Sequence, residues 1–276
     1  MARIDIVEEE LFNRDPQISP PSFTIKPTDT WTSLPIEGPI SGPYHTPKHN
    51  LLITPLHPTF ACTLSGVDWT HPTPPSIYAD IRGIVEKHAV VVRRNTSLTD
   101  EAHIAFSSSF GELDDVRSYQ KAGRTHRLKY PELFDTGDID PHTGQAAPLS
   151  AAQVIGDKAN EQFHVDSSFN ARRAGHSLLL AHKLPPKGTG GATEFADSRT
   201  AYDDLSAEMK ERLEGLVAGH GLFHGMEPEE STELIEELMA HVSKPKYRCM
   251  IDWEQEGDMI IWDNTSSDAP SDWWVV

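Results

Sequence analysis

Apolar side chains recur at helical spacing across residues 77–87, where Ile77, Ile81, Ile84 and Val85 share one face. A helix is predicted there. It is followed at once by His88-Ala89-Val90-Val91-Val92-Arg93, a β-branched run that predicts a buried strand. Thr99 stands as an N-cap for a helix reaching Phe110, with Ala102, Ala105 and Phe106 on one face and Gly111 as its stop. Ser177-Leu178-Leu179-Leu180-Ala181 predicts a second apolar strand, residues 185–191 a Pro- and Gly-rich turn, and Thr193-Glu194-Phe195-Ala196 another strand. Helical spacing returns over residues 199–216 (Tyr202, Leu205, Met209, Leu213, Leu216) and 229–241 (Leu234, Ile235, Leu238). Residues 247–253 and 259–262 are expected to form a closing pair of strands. The elements alternate irregularly, with no repeated βαβ unit. That favours an α+β fold with a β-sandwich core over a doubly wound sheet.

Outside these elements the chain changes character. Residues 16–57 are dense in Pro, Ser and Thr. An N-terminal extension is expected over residues 1–50 and one globular domain over 51–276. Residues 117–148 are polar with scattered Gly and Pro, which reads as a long loop or lid. The net charge of −18 argues against nucleic acid or an anionic membrane as a partner, because both are gripped through Lys and Arg. The two cysteines, Cys62 and Cys249, are far apart and form no CxxC. They suggest neither a disulfide framework nor a zinc knuckle, and they fit a cytoplasmic protein. The first ten residues carry Glu8, Glu9 and Glu10 and no apolar signal region, and no apolar run approaches a membrane span. The oligomeric state stays open, a homo-oligomer included.

The chemistry centres on Phe163-His164-Val165-Asp166. On an extended segment, residues i and i+2 point to the same side, so His164 and Asp166 can converge on one ion. An imidazole and a carboxylate are two-thirds of the two-His, one-carboxylate set that holds non-haem Fe(II) and leaves positions open for ligands. The pair alone is weak evidence, because His-x-Asp arises about once by chance in a chain of this composition. Alone, it reads first as a hydrogen-bonded His at a strand end with a nearby Asp. Its neighbours add specificity. Ala159-Asn160 precedes it and an apolar strand follows. Then come Pro185-Pro186, the Gly-rich turn, Gly191-Ala192-Thr193-Glu194-Phe195 and a helix opening at Arg199.

With these stand His57-Pro58 and Phe60, the strand Val90-Val91-Val92-Arg93, the stretch FSSSFGEL at residues 106–113, Lys129-Tyr130-Pro131-Glu132-Leu133, and the tail Gly257-Asp258-Met259-Ile260-Ile261-Trp262-Asp263-Asn264. In this order the motifs resemble the TauD/TfdA family of Fe(II)/2-oxoglutarate-dependent dioxygenases, and most of all its dichlorophenoxyacetate dioxygenase branch. The resemblance implies a double-stranded β-helix (jelly-roll) core flanked by helices. It implies His164 and Asp166 as catalytic iron ligands, and Thr193 as a hydrogen-bond donor to 2-oxoglutarate. The implied chemistry uses O₂ and 2-oxoglutarate to hydroxylate a small organic anion, with release of succinate and CO₂. Lys121, Arg124, Arg127 and Lys129 are candidates to attract that anion, or simply a solvated basic stretch. Two departures stand out. The distal iron-binding His of the family falls by spacing on Ala269, with no Arg after it to grip 2-oxoglutarate. And the segment at residues 219–225 is abrupt where the family carries further core strands, so the jelly roll is expected to be incomplete here and at the C-terminal end. His220, His224, His241 and Asp268 are candidate substitutes for the third ligand, and each reads first as a surface polar residue, because ligand geometry is demanding. The alternative function is a catalytically inactive protein of the same fold that binds small anions.

Overall fold

The runs Val90-Val91-Val92 and Met259-Ile260-Ile261-Trp262 are apolar without alternation, which suits strands covered on both faces. The computed structural model describes residues 42–115, 117, 128–136, 143, 163–166, 174–216, 218–219 and 222–264. All of them fall in one unit of the chain, Pro35–Val276. The strands are β1 (Tyr44–His45), β2 (Leu52–Pro55), β3 (Cys62–Ser65), β4 (Val90–Arg93), β5 (His176–Leu180), β6 (Thr193–Ala196), β7 (Ala218–Gly219), β8 (Leu222–Phe223), β9 (Arg248–Ile251) and β10 (Met259–Asp263). The helices are α1 (Pro75–His88), α2 (Asp100–Ser107), α3 (Ser198–Asp203), α4 (Ala207–Leu213) and α5 (Pro228–Val242).

Six strands form the main sheet in the order β1-β2-β3-β4-β10-β5. Only β3 and β4 run parallel, joined through α1. β6 and β9 pair as a second sheet, and β7 and β8 make a short hairpin. The main sheet is buried from both sides. Val91, Leu180, Met259 and Ile261 face α1 and pack on its Ile81, Ile84 and Val85. Val90, Val92, Ile260 and Trp262 face the other way and meet Phe195 of β6 and Ile251 of β9. This second cluster joins the two sheets into a double-stranded β-helix core flanked by helices. Each of these fully buried side chains stabilises the fold by roughly 1.5–3 kcal/mol. β1 lies ahead of residue 51, so the sheet begins before the boundary drawn from composition.

Three expectations are corrected. Residues 247–253 and 259–262 do not pair with each other. β10 lies between β4 and β5, while β9 pairs with β6. The reason is burial: β10 has apolar residues for both faces, whereas Met250 of β9 is 61% exposed, a pattern suited to an edge. The single helix expected over 199–216 is two, α3 and α4, because Ser206 caps a new helix by accepting from Met209 N at 3.1 Å. And α2 stops at Ser107, where Ser108 and Ser109 turn their hydroxyls back onto the carbonyls of Ala105 and Phe106. Its buried face carries His103 beside Phe106, and Ala105 is exposed.

The Gly-Asp pair before β10 has a structural role. Asp258 is fully buried and accepts from Arg94 Nη1 (2.7 Å), Asn95 N (3.0 Å) and Glu254 N (2.9 Å). Burial alone would raise its pKa. The donors at Glu254, Arg94 and Asn95 outweigh that, and the carboxyl is held below its ordinary range. Asp258→Ala leaves a guanidinium and the backbone N–H groups of Asn95, Glu254 and Gln255 without this acceptor. It is expected to cost about 3 kcal/mol, read as a lower urea midpoint at unchanged m-value.

Candidate active site

Strand pairing builds the site. On β5, Ser177 and Leu179 alternate with His176 and Leu178, and Leu179 packs into the cluster between the sheets. Ser177 lies opposite Trp262, which belongs to the same inner cluster. The Ser177 hydroxyl donates to Asp166 Oδ2 at 2.7 Å and accepts from Asn264 Nδ2 at 2.8 Å. Trp262 Nε1 donates to Asn264 Oδ1 at 3.1 Å. Asp166 is thereby tied to the inner side of the β5–β10 pair. Its other oxygen, Oδ1, lies 3.7 Å from His164 Nε2.

The fit to a cation follows from that distance. Bonds from a first-row metal to imidazole N and carboxylate O are about 2.0–2.2 Å, so two donors on one ion lie at most about 4.2 Å apart. The side chains of His164 and Asp166 are 49% and 37% exposed, open enough for further ligands to approach. Their donor types suit Fe(II). The two residues therefore fit part of an iron site. Among the described residues, no third His, Cys, Asp or Glu completes a group of three.

Thr193 opens β6 and shares the inner side with Phe195. Its Oγ1 accepts from Trp253 Nε1 at 3.2 Å. That leaves the hydroxyl proton for an anionic acceptor. Glu194, on the opposite side, pairs with Arg248 at 3.2 Å.

The other candidates are placed elsewhere. Lys129 lies 3.4 Å from Glu101, against the ring of Tyr130, whose hydroxyl also donates to Glu101. Hydrogen bonds to Tyr130 and Glu101 hold its pKa above the ordinary lysine value. Lys121, Arg124, Arg127, His220, Asp268 and Ala269 lie outside the described residues. His224 is exposed in the turn after β8. His241 engages both ring nitrogens, Nε2 with Ala201 O at 2.8 Å and Nδ1 with Lys244 Nζ at 3.0 Å, and so is unsuited to a metal.

The family "Taurine catabolism dioxygenase TauD, TfdA family" matches residues 52–227 and 220–267. The chain belongs to the TauD/TfdA family. It is by family a non-haem Fe(II)/2-oxoglutarate-dependent dioxygenase acting on organic substrates. A TauD/TfdA relative from Burkholderia sp. (strain RASC), "Alpha-ketoglutarate-dependent 2,4-dichlorophenoxyacetate dioxygenase", is 30% identical over 258 residues, covering 76% of this chain and 84% of the relative. A protein of the same name from Cupriavidus pinatubonensis is 36% identical over 173 residues, covering 62% of this chain and 58% of that protein. Among solved structures, AAD-2 in complex with Mn(II) and N-oxalylglycine superposes with a TM-score of 0.70 at 26% identity, over 78% of this chain and 89% of that one.

Two residues that contact the candidate site residues were not singled out from sequence, Ser177 and Trp253. Ser177 had a legible signal: it is the polar residue of the run Ser177-Leu178-Leu179-Leu180-Ala181. Trp253 had none, because only the pairing of β6 with β9 brings it to Thr193.

Proposed function

We propose that this protein is an Fe(II)/2-oxoglutarate dioxygenase that hydroxylates a small organic anion, with release of succinate and CO₂. The observation that carries the reading is the His164–Asp166 pair, 3.7 Å apart and anchored to the inner side of the main sheet. His164 Nε2 and Asp166 Oδ1 would hold the metal. The chemistry supplied at such a centre is O₂ activation coupled to oxidative decarboxylation of 2-oxoglutarate. Thr193 would donate a hydrogen bond from its hydroxyl to the distal carboxylate of 2-oxoglutarate, while the Trp253 indole N–H holds the hydroxyl oxygen. Of the two lysines proposed for the substrate anion, Lys129 must first leave Glu101, and Lys121 lies outside the described residues. The relatives' names make aryloxyalkanoic acids the first compounds to assay. A cytoplasmic setting fits the two free thiols, and no helix among the described residues is long and apolar enough to cross a membrane.

The test is anaerobic addition of Fe(II) and 2-oxoglutarate. A visible charge-transfer band is expected in the natural protein and none in His164→Ala. A band that survives in His164→Ala would show that the ligand is another residue. The second reading, anion binding without turnover, is favoured by Ala269 at the position of the distal His. It predicts calorimetric binding of 2-oxoglutarate without succinate release.

A further inference from the structure

We propose that Trp262, Asn264 and Ser177 form a one-way hydrogen-bond relay that fixes which oxygen of Asp166 is presented to the metal. The proposal rests on the reading of His164 and Asp166 as metal ligands. Its direction follows from donor chemistry alone. An indole N–H only donates, so Asn264 must turn its Oδ1 toward Trp262, at 3.1 Å. The Asn264 Nδ2 then faces Ser177, and an amide nitrogen only donates, so Ser177 Oγ accepts at 2.8 Å. The Ser177 proton is left for Asp166 Oδ2, at 2.7 Å. No amide flip or hydroxyl rotation remains to be chosen.

The relay is anchored at one end and open at the other. Trp262 and Asn264 are buried, and Asn264 N donates to Gly175 O at 2.8 Å. Trp262 is packed between the sheets, and Ser177 is in register with it on the neighbouring strand. Asp166, at the far end, is over a third exposed. A carboxylate on such a segment could rotate and offer either oxygen, or both. Tying Oδ2 back to Ser177 leaves Oδ1 beside His164 Nε2 and favours binding through one oxygen. Groups of this kind orient a ligand before the metal arrives, and their loss typically weakens metal binding about 10- to 100-fold. The relay assigns a task to Asn264 in the Trp-Asp-Asn motif that the distal His and Arg do not provide. Ser177, Asn264 and Trp262 are positioning residues.

The experiment is a Mn(II) titration of the full chain by calorimetry, with the Mn(II) electron paramagnetic resonance line shape as a second readout. Ser177→Ala and Asn264→Ala are each expected to weaken Mn(II) binding about 10- to 100-fold and to alter the line shape. Ser177→Thr, which keeps the hydroxyl, is expected to recover most of the affinity lost in Ser177→Ala. A role in packing alone would not show this recovery. The groups act in series, so the double variant is expected to lose no more than the worse single variant. Mn(II) uptake that depends on His164 but is unchanged in both Ala variants overturns the relay alone. No uptake by the natural protein, or uptake indifferent to His164→Ala, overturns the metal reading and the relay with it.

Discussion

Acidification from about pH 7 to about pH 4.5 is expected to destabilise the fold by about 5 kcal/mol, through two buried histidines that fold in the neutral form. His88 ends α1 with no exposed surface and shares a 2.7 Å hydrogen bond with the Tyr44 hydroxyl, while its Nδ1 has no partner among the described residues. Burial, with Lys87 and Arg199 nearby, pushes its pKa down from 6.5 to about 4. His103 is buried in α2, and neither ring nitrogen finds a partner among the described residues. The Leu178 backbone approaches the ring without completing a hydrogen bond. Burial first, and then His182, takes its pKa to about 4 as well, against the opposite pull of Asp100. In the unfolded chain both rings take up protons near 6.5, and in the folded chain only near 4. Their stabilising contribution is therefore complete above about pH 6.5 and is lost as pH falls toward 4, at about 2–3 kcal/mol each. Urea midpoints measured at a series of pH values check the slope. His103→Leu replaces an unpartnered imidazole with an apolar group and is expected to flatten the profile by roughly half, with little change at pH 7. A profile with its natural slope in His103→Leu would remove His103 from the account.

The same histidines mark where sequence reasoning reached its limit. Patterning located the helices and the strands β4, β5, β6, β9 and β10, because the apolar runs of β4, β5 and β10 and the helical spacing of α1 and α5 are local signals; the short strands β1, β2, β3, β7 and β8 gave no such signal. Pairing is not local. That β10 sits between β4 and β5 while β9 joins β6 follows from which faces are covered, and only the folded chain settles that. His103 illustrates the same gap at one residue. A histidine at a helix position between Ala102 and Ile104 reads as polar surface, and its burial depends on what lies outside the helix, the Leu178 backbone of β5 and His182 among it. For the site, the spacing of His164 and Asp166 and the strand position of Thr193 were legible, because both depend on the period of an extended chain. Asn264 was visible as part of a motif, but its bond to Ser177 crosses 87 residues of sequence. No periodicity carries such a contact.

Replacing Ala269 with histidine is expected to tighten Mn(II) binding by at least about tenfold, equivalent to about 1.4 kcal/mol. Two donors are in place at His164 and Asp166, and a facial set needs a third. Asn264 is one bridging hydroxyl away from Asp166, through Ser177. Five residues of extended chain reach at most about 17 Å, so an imidazole at position 269 starts within range of the ion. A third neutral donor would add a metal–nitrogen bond at a position otherwise left to water, and it would remove the freedom of a two-point attachment. The gain should vanish when Ala269→His is combined with His164→Ala, because the new imidazole then replaces a ligand rather than completing the set. It should also depend on Ser177, since a misplaced Asp166 carboxylate spoils the same site. Succinate release from 2-oxoglutarate, measured on the same variant with Fe(II) and an aryloxyacetate, reports whether the completed ligand set also turns over. Equal Mn(II) affinity with and without the imidazole at 269 would show that the chain completes its metal site from another residue, and that the spacing from Trp262-Asp263-Asn264 does not mark the third ligand.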